Sequence, residues 1–440
     1  MRHRLRNYSK WLMLGIGVKR WLLLMVVGVF LISLGLSHII HALHPLATTS
    51  TAQLLAYILF GTGFVLIALD QLTRNILAPY RRYQQGRVVD VVYAHRKREK
   101  GPKVVAIGGG TGLPSVLRGL KPYSSNITAV VTVADDGGSS GRLRRDLGVL
   151  PPGDLRNNIA ALADDESLMT QLFQHRFDTG DLGGHSFGNL FISALASVTG
   201  SIETALIETE RVLNIQGRVL PATLDDVNLL ATVHLKGMTQ AIRIKGESQI
   251  ARAGGRIASI ELSPPDVQAY SESVAAILDA DLVVIGPGSL YTSILPNLLV
   301  PGITQALRST SAQKVYICNV ATQPGETEGY TVAEHVLALE NHIGRGVFQT
   351  VLANNAYPQE NAGLNTHYVK PVPDGHDLYQ RYNIIYTDLT DPDRPWRHDP
   401  AKLAEELLGV LRQQQASAFS GKPALTVADQ AAVAAQMDDE

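Results

Sequence analysis

Four short runs, "KVVAI" (103–107), "ITAVVTVA" (127–134), "DLVVIG" (281–286) and "KVYICNV" (314–320), are apolar almost throughout, with no polar alternation. A strand with one wet face alternates, so unbroken apolar strands need cover on both faces. Helical patterns separate these runs, which is how a parallel sheet wrapped by crossover helices reads. The expected fold class is therefore α/β, a Rossmann-like, doubly wound, mostly parallel sheet. Its strand-and-helix text runs from Lys103 to about Asn354, and the domain as a whole is assigned to residues 102–400. A different texture lies inside it at about 215–262, where "GRVLPAT", "VNLLATVHLKG", "TQAIRIKGES" and "GRIASIELS" alternate between glycines. These read as antiparallel strands and hairpins, a small β-rich insertion. In the last segment, 401–440, "AKLAEELLGVLRQQ" patterns as an amphipathic helix, and the Ala-, Asp- and Ser-rich tail after Ser417 is expected to be disordered.

The front of the chain obeys another constraint. "WLLLMVVGVFLISLGLSHIIHAL" (21–43) and "AQLLAYILFGTGFVLIAL" (52–69) hold no Asp, Glu, Lys or Arg. Each approaches the roughly 20 residues that cross a bilayer as a helix. A signal peptide is the alternative for the first run, but no small-residue cleavage site follows and a second apolar run comes at once. Residues 1–72 are therefore expected to be a membrane anchor of two transmembrane helices. Arg2, Arg4, Arg6, Lys10, Lys19 and Arg20 precede the first span, Arg74, Arg81, Arg82 and Arg87 follow the second, and the connection has no Lys or Arg. Positive charge at both outer ends places both termini and the main domain in the cytoplasm, beneath the plasma (inner) membrane. Residues 73–101 form a basic linker.

Over all 440 residues, 39 basic side chains face 40 acidic ones, so no global field favours nucleic acid. The single cysteine, Cys318, lies inside an apolar run and can form no intrachain disulfide.

Candidate site residues stand where strands end. After "VVAI" comes Gly108-Gly109-Gly110-Thr111-Gly112, then a helix starting near Pro114. Glycines let backbone approach a ligand, and a helix N-terminus offers free N–H groups to phosphate, so Gly109, Gly110, Thr111 and Gly112 are assigned to ligand binding. A tight strand-to-helix turn is the plainer reading, and the G-x-G-x-x-G spacing is not met. The next strand ends in Asp135-Asp136, then Gly137, Gly138 and Ser139, with Arg142, Arg144 and Arg145 close behind. The acids can hold ligand hydroxyls or a metal such as magnesium, or form an Asx turn or helix cap. "LPPGDLRNN" (150–158) offers Arg156 and Asn157 as phosphate and amide ligands, with Asp154 as a helix cap. "GGHSFGN" (183–189) adds His185 and Asn189. In the second half, Gly286, Gly288, Ser289, Tyr291 and Thr292 repeat the glycine-loop pattern, and Asn319 closes the following strand. Both glycine loops leave strand C-termini and are expected to face one crevice.

The stretches "AIGGGTGLPSVLRGLK", "VTVADDGGSSGRLRRDLG", "PPGDLRNN", "GHSFGNL", "VIGPGSLYTSILPNLLVPGI" and "VYICNVATQPGETEGYT" closely resemble the gluconeogenesis-factor, or YvcK-like, family. That family is related to the CofD-like 2-phospho-L-lactate transferases. The resemblance covers about Lys103 to Asn354. It implies a Rossmann-like fold that binds a UDP-sugar, UDP-N-acetylglucosamine or UDP-glucose, and a role in cell shape and envelope homeostasis on gluconeogenic carbon sources. Envelope-synthesis proteins are the partners it implies; the membrane is expected from the two N-terminal apolar runs, which many family members lack, and association with further copies of the chain stays open. The transferase relatives move a phospholactyl group from a nucleotide diphosphate carrier with a divalent metal, and their active-site acids map onto Asp135 and Asp136. In that reading the acids would be catalytic; the text around them favours binding. An NAD-dependent oxidoreductase is the weakest of the three readings, because the glycine fingerprint is irregular.

Overall fold

The computed structural model describes residues 18–42, 51–81, 96–163, 168–235, 237–238, 240–358 and 366–420. The chain divides into two compact units, Met1–Arg96 and Lys97–Glu440. The connection before Thr51, linker residues 82–95 and the tail after Ser420 lie outside the described residues.

The first unit pairs two helices, Val18–Ala42 and Thr51–Arg81. Their backbones meet at Gly28 and Gly61, where a Cβ on either would lie 2.7 Å from the other's carbonyl oxygen. Only glycine permits that approach, a device common where apolar helices pack without a hydrophobic drive between them. Large apolar side chains point outward, with Leu23 69%, Leu59 72% and Phe60 64% exposed. Of the two expected spans, Leu55–Arg74 is apolar over a full 20 residues; in the other helix the described apolar stretch is the shorter Arg20–Leu36. In the last turn of that stretch Asp70 forms an ion pair with Arg74 at 2.9 Å.

The second unit holds ten strands: β1 (Val104–Gly108), β2 (Ile127–Val131), β3 (Arg218–Pro221), β4 (Asn228–His234), β5 (Ile242–Lys245), β6 (Arg256–Ser263), β7 (Leu282–Ile285), β8 (Gln313–Ile317), β9 (Thr350–Asn354) and β10 (Asn383–Thr387). Seven form one parallel sheet in the order β10-β9-β8-β7-β1-β2-β3. Every residue of β1, β7 and β9 is buried, as the unbroken apolar runs require. The chain builds outward from β1 through β2 to β3, then returns to β7 beside β1 and builds the other way.

Two expectations need correction. "GRVLPAT" does not begin the insertion: Val219 pairs with Ala129 and Pro221 with Val131, so the segment is the parallel edge strand β3 of the main sheet. Four residues are too few for periodicity to decide, and a proline is tolerated because the strand has no further neighbour. The insertion is the antiparallel sheet β5-β4-β6 with a helix, Glu247–Ala253, between β5 and β6. The helix Pro400–Ser420 is likewise no appendage. Leu403, Ala404 and Leu407 are fully buried, and Pro400 lies so close to Gly119 that any side chain there would strike its carbonyl.

Replacing Leu407 by Ala should therefore destabilise the second unit by about 2–5 kcal/mol, the range for a buried Leu-to-Ala change. Urea unfolding reads this directly, and a loss well under 1 kcal/mol would show that the helix is not part of the core.

Candidate functional site

The strand order reverses between β1 and β7, the position at which an open α/β sheet forms a crevice beyond its strand C-termini. The loop after β1 and the loop after β7 touch there. A Cβ on Gly112 would sit 2.5 Å from the Pro287 carbonyl oxygen, and one on Gly288 3.4 Å from that of Gly109. Gly110 (φ +62°) and Gly286 (φ +77°) adopt left-handed backbone that suits glycine. Side chains then fix the loops. Asn319 Nδ2 donates to the Gly288 oxygen at 2.9 Å and Asn319 Oδ1 accepts from the Gly288 N–H at 3.3 Å. Gln323 Nε2 donates to Ser289 Oγ at 2.8 Å, and Asn297 Nδ2 to the Gly108 oxygen at 2.9 Å. The resulting cleft, about 490 Å³, is lined by six of the expected residues: Thr111, Gly112, Gly288, Ser289, Thr292 and Asn319.

The acids sit beside this cleft, each with its own partner. Asp135 Oδ1 accepts from the Gly137 N–H at 2.8 Å, the Asx turn held open as the alternative. Asp136 Oδ1 accepts from the Ser248 N–H at 2.9 Å, in the first turn of the insertion helix Glu247–Ala253. The expected metal-holding pair is therefore divided between two structural tasks. Among the described residues no group of three or more His, Cys, Asp or Glu is placed to hold a metal ion.

Asp154 does not cap its own helix, Gly153–Leu162. Its carboxyl turns under the glycine loop, 2.5 Å from where a Gly109 Cβ would be, and accepts from the Gly110 N–H. Burial, and then the charge of Asp135, push it up to about 7. Glu247, on the cleft wall, is pushed up to about 8 by burial and by Asp135, Asp154, Glu326 and Asp136. Burial also raises Asp135. Carboxyls that keep protons near neutrality can donate a hydrogen bond, or the proton itself, to a ligand oxygen.

Other expected residues lie elsewhere. Ser139, 4% exposed, is held by His185 Nδ1 and by Asn189 Nδ2, both at 3.0 Å, in a buried network away from the cleft. Burial lowers His185 below the usual histidine range. Arg156 donates to Asn157 Oδ1 at 2.5 Å and lays its stem on Gly188, so this pair does not line the cleft. Arg142 and Arg144 pin backbone: Arg142 donates to the Gly183 oxygen, and Arg144 to that of Val227 while pairing with Asp226. Gly138 (φ +48°) opens the helix Gly138–Leu147 with open space around it. Tyr291 bonds Tyr330 through their hydroxyls at 2.9 Å and lines a separate cavity with Arg256 and His342.

Sequence reasoning missed Glu247, Gln323, Trp396 and Arg397, all on the cleft wall. Glu247 was hidden in a region read as strands. "DRPWRHDP" does carry a signal, an aromatic residue and an arginine framed by prolines in a loop.

Comparison with known proteins bears on this arrangement. The family model "2-phospho-L-lactate transferase CofD" matches residues 104–390. The gluconeogenesis factor of Bacillus subtilis is 52% identical over 318 residues, 71% of this chain and 99% of its own length. A relative from Nostoc sp. that bears the same name in provisional form is 45% identical over 437 residues, 92% of this chain and 93% of its own. That alignment leaves out fewer residues than precede Lys97, so it reaches into the first unit. A crystal structure of a UPF0052-family protein from Bacillus halodurans superposes with a TM-score of 0.66 at 44% identity, covering 70% of this chain and 99% of that one.

Asp154 and Glu247 hold protons in the fold that they would release in the unfolded chain. Their contribution to stability is full below the unfolded carboxyl range near pH 4 and is lost as pH rises through about 7 and about 8. The second unit should therefore lose stability between pH 5 and pH 8.5, by up to about 1.4 kcal/mol per pH unit for each acid within its window. Glu247→Gln should flatten that slope and raise the thermal midpoint at pH 8.5. An unchanged slope in the variant would show that Glu247 is ionised in the fold at neutral pH.

Proposed function

The chain belongs to the gluconeogenesis-factor (YvcK-like) family, related to the CofD transferases, and from that premise we propose that it is a membrane-tethered regulator that binds a nucleotide sugar. The observation that carries the proposal is the meeting of two glycine loops at the point where strand order reverses. A nucleoside diphosphate needs backbone N–H groups for its phosphates, polar side chains for its sugar, and a cleft long enough for both. The glycine loops, Asn319 and Gln323 answer those needs, with Arg397 as a cation on the wall. UDP-N-acetylglucosamine and UDP-glucose are the proposed ligands, and envelope homeostasis on gluconeogenic carbon the proposed role. Regulation is favoured over transfer because Asp135 and Asp136 are both engaged with backbone N–H groups. Transfer of a phospholactyl group remains the second reading, favoured by the proton-holding Asp154 and Glu247 beside the cleft.

The tether rests on the outward apolar faces of the first unit. Binding should not need it, since the B. halodurans relative consists almost wholly of the counterpart of the second unit and folds by itself.

Calorimetry of the unit starting at Lys97 should show binding of UDP-N-acetylglucosamine or UDP-glucose, with the same affinity as the full chain in detergent. Absence of heat with either would remove the proposal. With magnesium, a deazaflavin acceptor and a nucleotide-activated phospholactate, no turnover is expected; turnover abolished by Asp135→Asn would establish the transferase instead. Cell fractionation should place the full chain in the membrane and the shortened one in the soluble fraction, and a soluble full chain would end the tether reading.

A further inference from the structure

On the β2 side of the sheet, outside the glycine-loop cleft, three guanidinium groups gather with no carboxylate in salt-bridge contact among the described residues. Arg142 donates from Nη2 to the Gly183 oxygen at 2.9 Å, and Arg176 from Nη1 to the next carbonyl, Gly184, at 2.6 Å. Arg156, its stem packed on Gly188, donates to Asn157 Oδ1, and its buried Nε has no acceptor. Each guanidinium carries five N–H donors, so these single bonds leave most of them available. Like charges held together raise the energy of the fold, and the repulsion is felt: Arg176 acts on Arg156, and Arg142 and Arg176 both act on His185, opposed there by the charge of Asp146. Asp135 and Asp154, the acids that act on Arg156, offer it limited relief, since burial pushes both carboxyls toward the protonated form.

The helix that carries Arg142 starts next to this cluster. It is ten residues long, Gly138–Leu147, and among the described residues the N–H groups of Gly138, Ser139 and Ser140 meet no acceptor. Ser139 Oγ is fixed by His185 and Asn189, which holds the first turn in place. Around Gly138 there is open space.

We propose that Arg142, Arg156 and Arg176, with the N-terminus of the helix Gly138–Leu147, form an oxyanion site for a phosphate group, separate from the nucleotide cleft. A tetrahedral dianion suits this geometry. Three planar forks and a helix N-terminus offer it more N–H donors than a lone carboxylate needs. None of the three arginines lines the glycine-loop cleft, and the acids Asp135 and Asp154 exert their charge on Arg156 from the side of that cleft. The phosphate comes either free or as the monoester of a phosphorylated metabolite. The proposal does not depend on the identity of the nucleotide ligand.

The test is calorimetry of the full chain in detergent at low ionic strength, with inorganic phosphate as the probe and glycerol 3-phosphate as the monoester. The wild-type protein should bind phosphate, with affinity falling as salt rises. Arg176→Gln keeps a side-chain amide to donate to Gly184 but removes the charge, and should weaken phosphate at least tenfold; Arg176→Lys should restore part of it. Neither should lower the thermal midpoint, and both should leave the affinity for uridine diphosphate unchanged. Glycerol 3-phosphate binding as well as phosphate identifies a metabolite monoester, and its exclusion identifies the free ion. The proposal is overturned if the wild-type protein takes up no phosphate at millimolar concentration, or if Arg176→Gln binds it unchanged. It is equally overturned if uridine diphosphate weakens by the same factor as phosphate, because the arginines would then belong to the nucleotide cleft.

Discussion

The functional end of this fold depends on two backbones being allowed to touch. Gly112 leaves β1 and faces the Pro287 carbonyl that follows β7, at a distance no Cβ could occupy. That contact exists only because β1 and β7 are neighbours in the sheet while the chain departs from them in opposite directions. A side chain at Gly112 would push the loops apart and release Gly288 from Asn319, which grips it from both its N–H and its carbonyl. The crevice follows from sheet topology, and glycine follows from the crevice.

The acid-rich stretch after β2 gains a different meaning in this setting. Read alone, two adjacent carboxylates at a strand end suggest ligand or metal chemistry. In the fold, Asp136 secures the start of the helix Glu247–Ala253, and Arg144 secures the entry to the insertion through Val227 and Asp226. His342 secures its far side by accepting the Ile260 N–H at 3.0 Å. Together these ties hold Glu247 against the cleft. Much of "DDGGSSGRLRRDLG" is thus a docking surface for the insertion, and its contribution to the site is made through a residue more than a hundred positions away.

What could be read from the sequence follows the range of each signal. The parallel core was legible because two-sided burial forbids polar residues over whole strands, as in β1 and β7. The convergence of the glycine loops was legible because the strand-end rule relates distant loops through topology. Partner choice was not. Nothing local distinguishes a carboxylate that meets a ligand from one that meets Ser248 N–H, and nothing near Arg156 tells that it will lie on Gly188 rather than in the cleft. β3 was misplaced because four residues carry too little pattern. The helix Pro400–Ser420 was recognised as a helix but not as core, since amphipathicity shows that a face is buried without showing against what.

The placing of Asp135, Asp154 and Glu247 runs against stability, because like charges share a poorly solvated region and must hold protons to stay there. Such an arrangement is expected where the protons are used. Glu247 lines the glycine-loop cleft, while Asp135 and Asp154 exert their charge on Arg156.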